Sequence, residues 1–155
     1  MELSRLCEMQ GISGREELVR MAIFRECAEV LGEENVKIDR TGNVIAHKVC
    51  GKADAPRVMV AAHMDEVGFI VTGIDEKGFL SFAPVGGVQP EVTGGRMVLV
   101  GDDGNPGMVG CKPVHLCDEK ERCDPGKLSA MKIDIGAKDK ADAEKRVAPG
   151  DMVSF

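Results

Sequence analysis

The apolar positions of this chain change spacing along its length, and each spacing predicts a different element. Leu18, Ala22, Ile23, Cys27, Val30 and Leu31 recur three or four residues apart, which places them on one face of a helix. Ser13-Gly-Arg-Glu16 precedes them with a hydroxyl and a carboxylate three residues later, a capping-box pattern. Gly32 follows as a stop. Val36–Arg40 and Val44–Val49 flank Thr41-Gly-Asn43, which predicts a hairpin. Arg57-Val-Met-Val-Ala-Ala62 is a continuous apolar run, the pattern of a strand buried on both faces.

Beyond Glu66 the texture changes. Val67–Ile74 and Phe79–Val85 flank Glu76-Lys-Gly78, and Arg96–Val100 and Gly107–Gly110 flank Asp102-Asp-Gly-Asn105. These are short strands joined by Gly-rich turns, as in a small barrel or sandwich. Cys117–Lys127 reads as a polar loop and Met131–Ile135 as a further strand. Asp139 caps a short helix to Arg146, and Pro149-Gly-Asp151 turns into Met152–Phe155. Residues 1–66 therefore read as α/β and residues 67–155 as mostly β.

Composition narrows the function classes. The 155 residues are 43% apolar and 30% charged, a globular profile with enough chain to bury a core. No apolar run reaches the roughly 18 residues of a membrane span. The net charge of −6 argues against nucleic acid and basic membrane-surface partners. Tryptophan and tyrosine are absent, so stacking platforms for sugars or bases are hard to build. Met1-Glu-Leu-Ser-Arg-Leu6 lacks a signal-peptide pattern, which predicts a cytoplasmic, reducing location. The six cysteines, at 7, 27, 50, 111, 117 and 123, then read as free thiols.

One constellation carries chemistry. His63-Met-Asp65 stands at the end of the Arg57–Ala62 run, where open α/β sheets bind their ligands. One ring nitrogen of His63 can face a metal. The other needs an acceptor to fix its tautomer, and Asp65 can supply it.

His63-Met-Asp-Glu-Val-Gly-Phe69 resembles the first metal-binding motif of the glutamyl aminopeptidase family. These are binuclear metallo-aminopeptidases related to the tetrahedral dodecameric aminopeptidases and to the misnamed "cellulase M" proteins. Gly11-Ile-Ser-Gly-Arg-Glu16 resembles the start of the family's N-terminal helix. Asp39-Arg-Thr-Gly-Asn-Val-Ile-Ala46 resembles its hairpin. Val85-Gly-Gly87, Gly110-Cys-Lys-Pro-Val-His-Leu116 and Ile133-Asp-Ile-Gly-Ala137 resemble landmarks of its inserted β domain. The resemblance implies the opening segment of a zinc-peptidase-like α/β domain in residues 1–66. It implies a small β-barrel dimerisation domain inserted as residues 67–155. It also implies His63 as a metal ligand and Asp65 as the carboxylate that orients the site. Two divalent metals, zinc or cobalt, would occupy the complete site. Glu66 belongs to the motif but not to the role of general base.

The family's bridging Asp, its Glu-Glu pair with the base, a further Asp and a late His all follow the inserted domain, and this sequence has none of them. Its own Glu pairs, Glu16-Glu17 and Glu33-Glu34, precede His63, and Asp102-Asp103 sits in a turn of the insert. One His does not hold zinc usefully, and peptide hydrolysis needs a base near the activated water. The expectation is a truncated or split metallo-aminopeptidase, inactive as an isolated chain, with peptide substrate only if another chain completes it. The alternative is a non-catalytic assembly module acting with a full-length aminopeptidase. Either way a homo- or hetero-oligomer through the β domain is expected. A second zinc site from His115 with Cys111, Cys117 and Cys123 is disfavoured, because structural ligands come in pairs two to four residues apart. His47 reads as a surface side chain.

Overall fold

A computed structural model describes residues 3–111 and 127–155, which separate into two units, Met1–Asp65 and Glu66–Phe155. The first unit holds helices α1 (Leu3–Cys7) and α2 (Glu17–Leu31), then strands β1 (Val36–Ile38) and β2 (Val44–Ala46). The hairpin forms as the sequence predicts, with Val36 opposite Ala46 and Ile38 opposite Val44. Asp39 organises its turn. One carboxylate oxygen accepts from the backbone N–H groups of Thr41 and Asn43 and from the Thr41 hydroxyl, and the other accepts from Asn43 Nδ2. These donors, the Asn43 amide first, hold the Asp39 carboxyl well below the usual carboxylate range.

The capping box does not form. Arg15 N–H donates to Ile12 O at 2.8 Å and Gly14 takes φ +88°, so Ile12–Arg15 closes a turn with glycine where a positive φ is required. Helix α2 starts only at Glu17, and no side chain caps the preceding Glu16. The Glu16 carboxylate instead accepts from Gly14 N–H at 2.6 Å and from Arg20 Nη2 at 3.2 Å. Arg20 Nε in turn donates to Gly42 O, tying the helix to the hairpin turn. The helix face agrees in part with the expected one, with Ala22, Ile23, Cys27 and Leu31 half-buried. Val19 is buried, while Leu18 and Val30 are exposed. The cause is the turn segment, since a Cβ on Gly11 would stand 2.7 Å from Val19 Cγ2, so this side of the helix is the covered one.

Arg57–Ala62 corrects a second expectation. The segment joins no ladder among the described residues. Val58, Met59 and Val60 are 81%, 89% and 91% exposed, and they line an open groove of about 820 Å³ against β1 and β2. A continuous apolar run is stable as a strand only when neighbours pair its backbone and cover both faces. Within this chain the two-stranded hairpin does neither.

The second unit is a closed antiparallel barrel. Its strands are β3 (Gly68–Ile74), β4 (Leu80–Val85), β5 (Met97–Val100), β6 (Asn105–Gly110), β7 (Lys132–Asp134) and β8 (Met152–Ser154), ordered β3-β4-β7-β6-β5-β8. β3 to β7 were legible as strands from their alternation and turns, while β8 was read only as the segment that follows a turn. Register stacks the interior. Leu80, Ile133 and Val109 align across β4, β7 and β6, while Phe69, Val153 and Val100 align across β3, β8 and β5. All six side chains are fully buried. Helix α3 (Lys140–Ala143) adds Ala143 to this core, with Asp139 capping the Asp142 N–H at 2.8 Å as expected. An α/β region followed by a six-stranded barrel is the architecture the sequence implied. No helix among the described residues is long and apolar enough to cross a membrane.

Candidate functional site

The two candidate residues meet in the first unit. His63 and Asp65 lie in the irregular segment that follows the exposed Arg57–Ala62 run. His63 Nδ1 stands 3.0 Å from the Asp65 backbone oxygen and 3.2 Å from Asp65 Oδ1. The imidazole is 86% exposed, and both contacts use Nδ1, so Nε2 is the nitrogen turned away from Asp65. The second carboxylate oxygen, Oδ2, accepts a short hydrogen bond from the Ser13 hydroxyl.

Ser13 is the residue that the sequence reading misplaced. The Ile12–Arg15 turn frees its hydroxyl from the helix and aims it at a carboxylate 52 positions away. No local pattern signals such a contact. The Ser13 hydroxyl, first, then the Asp65 backbone N–H and the His63 ring, hold the Asp65 carboxyl below its usual range, against its partial burial. A carboxylate lowered in this way adds stability above the ordinary aspartate value of about 3.9. That contribution is lost as pH falls through its own lower value.

The remaining candidates do not join this group. His47 is exposed just after β2, its N–H donating to Asn35 O. Asp102 and Asp103 lie in the β5–β6 turn. His115, Cys117 and Cys123, with the loop proposed for them, lie outside the described residues. Cys7, Cys27, Cys50 and Cys111 are free thiols.

The metals implied by the resemblance were tested against the donor set. An activated water needs a metal held by about three protein ligands with one position open. Among the described residues no group of three or more His, Cys, Asp or Glu side chains could hold a metal ion. One imidazole and one carboxylate, the latter already engaged by Ser13, do not fit such an ion by themselves.

Residues 42–155 match the model of the M42 glutamyl aminopeptidase family. The lysyl aminopeptidase of Pyrococcus furiosus is 37% identical over 147 residues, covering 92% of this chain and 41% of that protein. The TET1 peptidase of Pyrococcus horikoshii, which can assemble into a tetrahedron or a large octahedral shell, superposes with a TM-score of 0.84. It is 35% identical, over 99% of this chain and 45% of that one. A Thermotoga maritima endoglucanase structure superposes with a TM-score of 0.81 at 36% identity, over 100% of this chain and 44% of that one. The chain thus spans less than half the length of the curated relatives it matches. By the family match over most of its residues, the chain belongs to the M42 glutamyl aminopeptidase family.

Proposed function

We propose that this chain supplies one part of a metallo-aminopeptidase that removes N-terminal residues from peptides, with residues 1–66 belonging to the catalytic domain and 67–155 to its inserted barrel. His63 is the metal ligand it contributes and Asp65 the carboxylate that orients that ligand. The remaining ligands of a two-metal zinc or cobalt site, and the base, come from residues outside this sequence. The observation that carries this reading is the His63–Asp65 geometry. A carboxylate on one ring nitrogen and an outward second nitrogen is how ligating histidines are held. The free thiols suit a reducing, cytoplasmic location.

The isolated chain is expected to show no turnover of aminoacyl-p-nitroanilides with added cobalt or zinc, because too few ligands converge among the described residues and the base of the family lies in motifs that this reading places outside the sequence. Mixed with a polypeptide supplying the family's later motifs, it should gain turnover that His63→Ala abolishes. Turnover by the isolated chain that is lost on His63→Ala would overturn its inactivity. Complemented turnover that survives His63→Ala would remove His63 from the site.

A second reading, an assembly module, is favoured by the outer face of the barrel. Met97 and Met108 are register partners on β5 and β6 and are 60% and 49% exposed. They line a largely apolar groove of about 690 Å³. Exposed apolar surface of this kind marks association sites. Light scattering should show concentration-dependent association of the chain. Met97→Lys with Met108→Lys should reduce it if the barrel is responsible, and Val58→Lys with Val60→Lys if the unpaired apolar run is. A monodisperse monomer at every concentration would remove the association.

A further inference from the structure

Asp65 faces two partners from its two carboxylate oxygens, and only one of them has been given a role. Both oxygens that meet His63 Nδ1, a backbone carbonyl and a carboxylate, can only accept. Nδ1 must therefore carry the proton, and Nε2 presents its lone pair outward. The backbone carbonyl, the nearer acceptor, favours this tautomer whatever the side chain does, and the carboxylate adds to it only while it keeps its orientation, since the terminal torsion of an aspartate is soft. The Ser13 hydroxyl fixes it from the other side, on Oδ2.

We infer that Ser13 is a positioning residue: its hydroxyl holds the Asp65 carboxylate and, through it, reinforces the Nδ1–H tautomer of His63. This inference rests on the reading of His63 and Asp65 as a site. Ser13 is itself held on both sides. Ile12 before it is 2% exposed, so the turn is anchored by a buried side chain. Gly14 after it is bonded to Glu16, and Glu16 to Arg20. The hydroxyl is thus placed by its backbone before it meets Asp65, and little side-chain entropy is lost in making the bond. The lowered Asp65 carboxyl, with the Ser13 hydroxyl as its first cause, agrees with this arrangement.

The same three residue types could suggest a serine hydrolase, and the geometry excludes it. A nucleophilic serine gives its proton to histidine, while the acid holds the far side of the ring. Here the hydroxyl donates to the carboxylate, and His63 stands beyond it. The carboxylate that takes this bond is held below its usual range and is a weak base, so the role of Ser13 is to hold, not to attack.

The test uses the full chain, labelled with nitrogen-15 and held near pH 9, above the ordinary histidine range. Long-range proton–nitrogen spectra report the two tautomers, and exposed His47 serves as the internal reference. His63 should favour Nδ1–H relative to His47. Ser13→Ala should lower the Nδ1–H to Nε2–H ratio by about two- to tenfold, the net worth of one hydrogen bond, and Ser13→Thr should preserve it. Asp65→Ala should lower the ratio at least as far, and adding Ser13→Ala to it should change nothing more, because the two act in series. An unchanged ratio in Ser13→Ala, a lowered one in Ser13→Thr, or an additive double variant would each overturn the role of Ser13. This readout needs neither metal nor turnover. Its failure leaves the peptidase reading standing, and failure of the complementation assay leaves the tautomer result intact.

Discussion

Phe69→Ala is expected to cost about 3–5 kcal/mol, the range for deleting a buried aromatic ring, and so to unfold much of the barrel unit. A domain has only about 5–15 kcal/mol in total. Phe69 is fully buried, and its ring meets Phe82 at 4.6 Å and Phe155 at 5.3 Å, both edge-on. Its position magnifies the loss. Phe69 on β3 is the register partner of Val153 on β8, and Val153 is the partner of Val100 on β5. The ring therefore sits at the seam that closes the barrel, where no other side chain can slide in without breaking register. Urea denaturation followed by backbone circular dichroism would measure the change. Phe69→Leu keeps most of the volume and should cost much less, about 1.5 kcal/mol or below. A loss under about 1 kcal/mol in the alanine variant would show that the seam does not depend on this ring.

Gly78→Ala is the second large effect, with two separate causes. Gly78 holds φ +87° in the β3–β4 turn, where Asp75 accepts from the N–H groups of Lys77, Gly78 and Phe79. A left-handed conformation at a residue with a Cβ costs about 1–3 kcal/mol. In addition, the new Cβ would stand 2.8 Å from the Asp139 backbone oxygen, which sits at the start of α3 and cannot rotate away. Chemical denaturation should show a loss beyond the conformational cost alone. Gly14→Ala supplies the control. It shares the positive φ, at +88°, but its Cβ would meet nothing within 4 Å. Equal losses at the two positions would mean that the contact with Asp139 adds nothing.

The barrel was legible in the sequence because its rules are local. Strands β3 to β7 announce themselves by alternation, and the turns between them by Gly, Asn and Asp at fixed offsets. The Asp39 hairpin was legible for the same reason. Arg57–Ala62 was misread as a strand because pairing and cover are not local properties. Val58, Met59 and Val60 have the composition of an inner strand, but covering them takes neighbours from elsewhere, which the periodicity of six residues cannot report. Ser13 was misread because its pattern has two physical solutions. A hydroxyl with a carboxylate three residues later can cap a helix, or it can turn before one, and Gly14 tips the choice by adopting a positive φ. The partner that then receives the hydroxyl, Asp65, is distant in sequence, so His63 and Asp65 were visible as a motif while the residue that holds them was not.

The pairing of β3 with β8 has a consequence for the two ends of the barrel. The first and last strands of the barrel are neighbours, with Phe69 beside Val153 and Ile70 beside Met152. Neighbouring strands lie only about 4.7–4.9 Å apart. The 87 residues from Gly68 to Ser154 therefore begin and end at a gap scarcely wider than one peptide unit. A host loop interrupted at that point would need no stretching to accommodate the insertion, and the usual entropy of closing a long loop is met by the barrel's own hydrogen bonds. The entry at Gly68 and the exit after Ser154 thus lie side by side, so a chain running on from both ends would pass the barrel without being stretched.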